Sequence, residues 1–496
     1  MPARSLSSSL SYRFTGGTIF TGIGNPLQNS LTVRNGLVAQ DTDPVDETIE
    51  LNGGCVLPAF VDAHCHPSLV AEQSRGPNLL DVHSLEGLYA QVGKYASKQN
   101  WVVGFGYDRS LAPDGAFLAT WLDEHSVDAN VVLHASDQHT IWANSKAIAA
   151  ANITAEELQT TTGIDLDDQG QPAGTFREAA AKALILRAIP QQTTQDFAQA
   201  LHDATGALRD LGIKATLDAW IGAQSIAAAS SIKPAIELHF AQWISPESTP
   251  DFLAGATFAK FFLDGTLGNG TACVIDEYLH SEHAHGEALW TDAQLTERVK
   301  AAAAAGKKIH MHTIGDAAVE QALRVIKGLN LPSGLASLVH AELLTDGQIR
   351  ELASSQIAVC VQPLWARVDE LSIGALNRMS DGQKARLYRY RDMLDAGVFT
   401  VFGSDWPVSS ANPLEGMQTA ITRRLEGAPA LNEPQAISLE EAIFCYTQAP
   451  AEFLGLSGSG RLEVGHPADL VVLDGDPFAD QGKTVGSHKV TALLFQ

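Results

Sequence analysis

The chain has 496 residues, 45% of them hydrophobic, which is enough to bury a large core and to accommodate a smaller domain beside the main one. Its 33 Lys and Arg against 57 Asp and Glu give a net charge of -24 with no basic cluster, which excludes nucleic acid and anionic membrane surfaces as partners. Five scattered cysteines without a CxxC pair suggest neither a disulfide framework nor a zinc knuckle, and no apolar run reaches the roughly 18 residues that cross a bilayer, so a soluble, cytoplasmic protein is expected.

In chain order, the serine-rich tract SLSSSLS (5–11) reads as a flexible leader. YRFTGGTIF, SLTVRNGLVAQ and ETIEL follow as short strands, with Asn35-Gly36 as a two-residue hairpin turn. RLEVGHPADLVVLD (461–474) and VTALLF (490–495) have the same character, so both termini are expected to combine into one small β-sandwich domain, 1–57 plus 457–496. Between them, over 58–456, short apolar strands alternate with helical stretches, the pattern of a parallel sheet. The strands are VLPAFVDAH (56–64), IKATLDA (213–219), IELHFAQW (236–243), TFAKFFLDG (257–265), KKIHMHTIGD (307–316), LASLVHAELL (335–344), QIAVCVQPLW (356–365) and VFTVFGSDWP (398–407). Eight such units predict an α/β fold, a (β/α)8 TIM barrel. The segment from about 68 to 205 is too long for one crossover and carries strand-like pieces of its own, WVVGFGY and NVVLHAS. It reads as a large insertion after the first barrel strand, at the face where barrels carry their active sites.

The first barrel strand ends in Asp62-Ala63-His64-Cys65-His66, and the two-residue period of a strand turns His64 and His66 the same way. Sixteen histidines in 496 residues produce about half a chance His-x-His pair, so the motif is weak by itself. Four further strands carry Lys260, His312, His340 and Asp405 at or near their C-terminal ends, which converge on one face of a barrel. Trp142, Trp365 and Trp406 are candidates to line an apolar pocket.

In LPAFVDAHCHP, AKFFLDGTLGNGTA, HTIGDAAV, VHAELL, FGSDWPV and the C-terminal GRLEVGHPADLVVLDGDP, the chain resembles the amidohydrolase superfamily, and in particular its branch of N-substituted formamide deformylases. The resemblance implies that His64, His66 and Asp405 bind one divalent metal and His312 and His340 another, with Lys260, carboxylated on its amine, bridging the two. His310 shares a strand face with His312 and could ligate from spacing alone; the HxxGD pattern selects His312. Val339 stands where this branch often has an acidic residue. Zn2+ suits such a donor set, one or two ions per chain. Asp405 would carry a proton from a metal-bound water to the leaving nitrogen. His139 and Glu178, in the insertion, match less specific segments that face a small-molecule substrate, and a homodimer is a further family expectation. The expected reaction is hydrolysis of a C–N bond in an amide, N-substituted formamide or cyclic amide. The alternative is a single-metal deaminase of an aminated heterocycle, which has no use for a bridging lysine.

Overall fold

Eight parallel strands of three to nine residues form one sheet. They are β1 (Phe60–Cys65), β2 (Ile213–Ile221), β3 (Glu237–Trp243), β4 (Phe258–Phe262), β5 (Lys308–Thr313), β6 (Ala336–His340), β7 (Ala358–Val361) and β8 (Thr400–Phe402). Each strand pairs with the next in sequence, in parallel, from β1 to β8. The sheet is drawn together beyond its ends: the Asp405 amide donates to the His64 carbonyl (2.8 Å), and the His66 amide to the Trp406 carbonyl (2.7 Å). Gly403 permits this approach, because a Cβ there would lie 2.7 Å from the His64 nitrogen. The result is a TIM barrel. The computed structural model describes residues 3–79, 82–126, 128–135, 140–247, 251–279 and 284–495.

All eight expected strands coincide with observed ones, and one needs correction. VLPAFVDAH belongs to two sheets: Cys55–Pro58 pairs antiparallel with Leu470–Leu473, and the chain enters the barrel at Phe60. The Ala59 amide still donates to the Asp469 carbonyl, whereas the Phe60 amide donates to Gly212. Every residue from Cys55 to Cys65 is buried, so no polar alternation marks the boundary.

Strands from both termini form one eight-stranded sheet, with Arg4–Ser5, Tyr12–Ile19, Gln28–Arg34 and Cys55–Pro58 alongside Leu470–Leu473 and Val490–Leu494. The hairpin turn falls at Asn35 (φ 52°) and Gly36 (φ 72°), between the paired residues Arg34 and Leu37. The expectation of a flexible leader fails at its start. Arg4 and Ser5 pair with Ala492 and Leu493, Leu6 is buried, and the Ser7 amide donates to the Tyr12 hydroxyl, so one apolar side chain anchors the tract.

Leu69–Ala200 forms a compact unit with its own five-stranded sheet, which includes Trp101–Tyr107 and Asn130–Ala135. Trp142 sits in the core of this unit among the rings of Tyr107, Phe117 and Trp121, with its indole N–H donating to the Leu118 carbonyl. It is therefore a packing residue and lines no pocket, since its one polar atom is satisfied internally. Among the described residues, no helix is long and apolar enough to cross a membrane.

Candidate active site

His64 and His66 project from the C-terminal end of β1, and Asp405 follows β8 across the closed seam of the barrel. All three are buried. Asp405 Oδ1 lies 3.0 Å from His64 Nε2 and 2.8 Å from His66 Nε2. Among the described residues, these three form a group whose candidate ligand atoms all lie within 4.8 Å of one another. Asp62 secures the seam beneath them, accepting hydrogen bonds from the His64 amide (3.0 Å), the Ser404 amide (3.0 Å) and the Ser404 hydroxyl (2.6 Å). Burial raises the Asp62 carboxyl to about 6 despite these donors.

A chain of hydrogen bonds orders the protons behind His64. The Ser337 hydroxyl donates to the Ile309 carbonyl (3.0 Å), so its oxygen accepts from His310 Nδ1–H (2.8 Å). His310 Nε2 then carries a lone pair and accepts from His64 Nδ1–H (2.7 Å). His64 Nε2 is left as a lone pair facing Asp405. Sheet register explains the alignment: Lys260, His310 and Ser337 are partners on β4, β5 and β6 and face the same side. Both ring nitrogens of His310 are engaged, by His64 and Ser337, whereas the His312 ring lies 4.6 Å from that of His340.

His312 Nε2–H donates to the Gly265 carbonyl (3.1 Å), which leaves Nδ1 as its basic nitrogen. His340 Nδ1–H donates to Gln362 Oε1 (2.7 Å), which leaves Nε2 basic. The His340 ring lies 4.6 Å from that of His312 and 5.3 Å from that of His64, and stacks on Trp365 at 5.2 Å. Burial, and next the nearby charges, hold His64, His310 and His340 well below the usual imidazole range, and His312 at about 3. They are neutral imidazoles, the form that binds a metal. His340 (φ 73°), Ala341 (φ 42°) and Asp405 (φ 57°) adopt left-handed backbone that costs non-glycine residues about 1–3 kcal/mol each, a strain that clusters at functional sites.

Lys260 on β4 is wholly buried, and its amine has no hydrogen-bond acceptor among the described residues. Burial pushes its pKa down to about 7, and its amine lies 4.9 Å from the centre of the Phe262 ring. Two features therefore bear on a cation: a histidine lone pair and a carboxylate oxygen meet 3.0 Å apart, and beside them stands a buried amine with no hydrogen-bond acceptor among the described residues, reached only by the charge of the same Asp405. The residues present fit a divalent metal.

Three buried carboxylates around this cluster have no signature in a single sequence beyond their place in the motifs. Asp62 is one; Asp264 accepts from the amides of Cys273, Ile314 and Gly315, tying the ends of β4 and β5 together. Glu342 accepts from the Tyr388 hydroxyl (2.7 Å) and is pushed up to about 7 by burial. Of the candidate substrate contacts, Trp365 stacks on His340, and Trp406 is half-buried beside Asp405. Glu178 is exposed in the Leu69–Ala200 unit, and His139 lies outside the described residues.

A parallel barrel with imidazoles and a carboxylate gathered at the C-terminal ends of its strands defines a metal-dependent barrel hydrolase. The chain belongs to the amidohydrolase family, whose model matches residues 47–494, and it is accordingly a hydrolytic enzyme acting on carbon–nitrogen bonds. It is 28% identical over 465 residues to YtcJ of Bacillus subtilis, named as a candidate amidohydrolase, covering 88% of this chain and 87% of that protein. It is 25% identical over 473 residues to an N-substituted formamide deformylase of Arthrobacter pascens, covering 88% and 86%. In fold it is similar to an uncharacterized metal-dependent hydrolase of Pyrococcus furiosus, with a TM-score of 0.76 at 23% identity over 94% of this chain and 99% of that one.

Proposed function

We propose that the protein hydrolyses the C–N bond of an amide, N-substituted formamide or cyclic amide. In this reading His64, His66 and Asp405 hold one divalent cation, His312 and His340 a second, and Lys260, carboxylated, bridges them. Zn2+ suits these donors. A divalent cation, when bound, polarises the substrate carbonyl and lowers the pKa of water to about 7.

The chain's own residues supply the rest. Asp405 takes a proton from the attacking water and gives it to the nitrogen as the C–N bond breaks, so the products are a carboxylic acid and an amine. The Ser337–His310 chain holds His64 in the tautomer whose Nε2 is basic. Gln362 does the same for His340. The observation that carries the reading is the meeting of His64 Nε2, His66 Nε2 and Asp405 Oδ1 at 3.0 and 2.8 Å beside the buried, acceptorless amine of Lys260. The deformylase relative supports formamides as the first compounds to screen.

The test is a screen of amides and formamides with metal-loaded protein, repeated on Asp405→Asn. The variant should keep most of its metal and lose about 100-fold to 10,000-fold in kcat. Full activity in the variant refutes the proton-carrier role. A second reading, a single-metal deaminase of an aminated heterocycle, is favoured by one observation: His312 and His340 stand outside the three-residue group of converging ligand atoms. The number of metal ions per chain separates the two.

A further inference from the structure

Two tryptophans stand half out of the protein at the mouth of the barrel. Trp220 near the end of β2 is 44% exposed, and Trp243 at the end of β3 is 45% exposed. One exposed aromatic residue needs no explanation, but a contiguous pair beside a catalytic centre marks a binding surface. Trp243 is the register partner of Lys260 on the neighbouring strand, so the two side chains leave the same face of the sheet. The Trp220 ring lies 6.5 Å from that of His66, 5.7 Å from that of Trp243 and 5.3 Å from that of Phe262. Phe262 in turn lies 5.1 Å from His312. An aromatic wall thus runs from His66 to His312 on one side of the cluster. Trp220 meets Trp243 at 68° and Phe262 at 66°, edge-to-face contacts rather than parallel stacks.

We propose that Trp220, Trp243 and Phe262 form the subsite for a planar apolar group of the substrate, an aryl or arylalkyl substituent on one side of the scissile bond. The proposal rests on the hydrolase reading above, and it narrows the substrate class. Flat rings prefer offset or edge-to-face contact with aromatic faces, which an alkyl group of equal length does not reproduce.

Two pairs of compounds matched in length test it: N-phenethylformamide with N-hexylformamide, and phenylacetamide with hexanamide. Binding is measured by calorimetry on metal-loaded Asp405→Asn, so that turnover does not intervene, and kcat/KM is measured on the otherwise native enzyme. In at least one pair the phenyl compound should bind about tenfold tighter, equivalent to about 1.4 kcal/mol. That ratio should collapse toward one in Trp220→Ala and in Trp243→Ala, and Trp220→Phe should restore part of it. Both tryptophans are exposed, so the variants should fold. A ratio near one in the parent protein, or a ratio that neither alanine variant changes, overturns the proposal. Hydrolysis of these compounds with an unchanged ratio would refute the wall and leave the hydrolase reading standing. Tryptophan-dependent preference without hydrolysis would do the reverse.

Discussion

Replacing His310 by leucine removes the link between Ser337 and His64 while keeping an apolar group of similar bulk against Phe258 and Phe453, whose rings lie 5.9 and 6.1 Å from that of His310. His64 Nδ1–H then has no acceptor in a site where its ring is wholly buried. One orphaned donor costs about 1–3 kcal/mol, which should appear as a lower melting temperature in metal-free protein. The larger consequence falls on the metal. His64 can regain a partner by moving its proton to Nε2 and donating to Asp405, and a protonated Nε2 cannot ligate. Loss of such an orienting partner typically lowers metal affinity about 10–100-fold. Ser337→Ala should act in the same direction but more weakly, because His310 remains and only its tautomer is freed. Chelator competition against Zn2+, with unfolding of the metal-free proteins measured alongside, separates the two effects. If His310→Leu melts earlier yet binds Zn2+ with native affinity, His310 is only a packing residue and the tautomer argument is wrong.

Gly403→Ala places a Cβ 2.7 Å from the His64 nitrogen, so the seam between β1 and β8 must open; a loss of about 1–3 kcal/mol in chemical denaturation, with reduced metal affinity, is expected. Glu342 offers a pH test. Burial raises its carboxyl from 4.5 to about 7, so the folded protein keeps a proton that the unfolded chain has already released. Its own contribution to stability should therefore be lost as pH rises from about 4.5 to about 7, by at most about 3.5 kcal/mol at roughly 1.4 kcal/mol per pH unit, while the buried histidines, with lowered pKa values, contribute in the opposite direction. Glu342→Gln, measured without metal, should remove that contribution, so the stability difference between parent and variant should change with pH over this range. An identical slope in the two proteins would show that Glu342 ionises normally.

The barrel was legible because each strand is a short apolar run set between helical stretches, and strand periodicity placed His64 and His66 on one face. What stayed hidden depended on contacts between strands. VLPAFVDAH reads as one strand because buried residues continue across the change of sheet at Ala59. His310 and His312 are equivalent by spacing, and only the structure shows that the His310 ring bonds both His64 and Ser337. Trp142 looked like a pocket residue because an aromatic side chain in a motif-bearing segment does not reveal which way it points. Trp220 and Trp243 carry no signal in the sequence for the same reason: their meaning comes from the register of Trp243 with Lys260 and from the distance of Trp220 to His66. Asp62, Asp264 and Glu342 carry no spacing signal, since each acts through backbone amides or hydroxyls supplied by distant segments.

A metal centre in which Lys260 takes part is read out by elemental analysis of protein purified without chelator, with Lys260→Ala measured beside it. About two divalent ions per chain are expected, falling sharply in Lys260→Ala, together with hydrolysis that a chelator abolishes and added metal restores. About one ion per chain, unchanged in Lys260→Ala, would contradict the bridged centre and favour the single-metal deaminase.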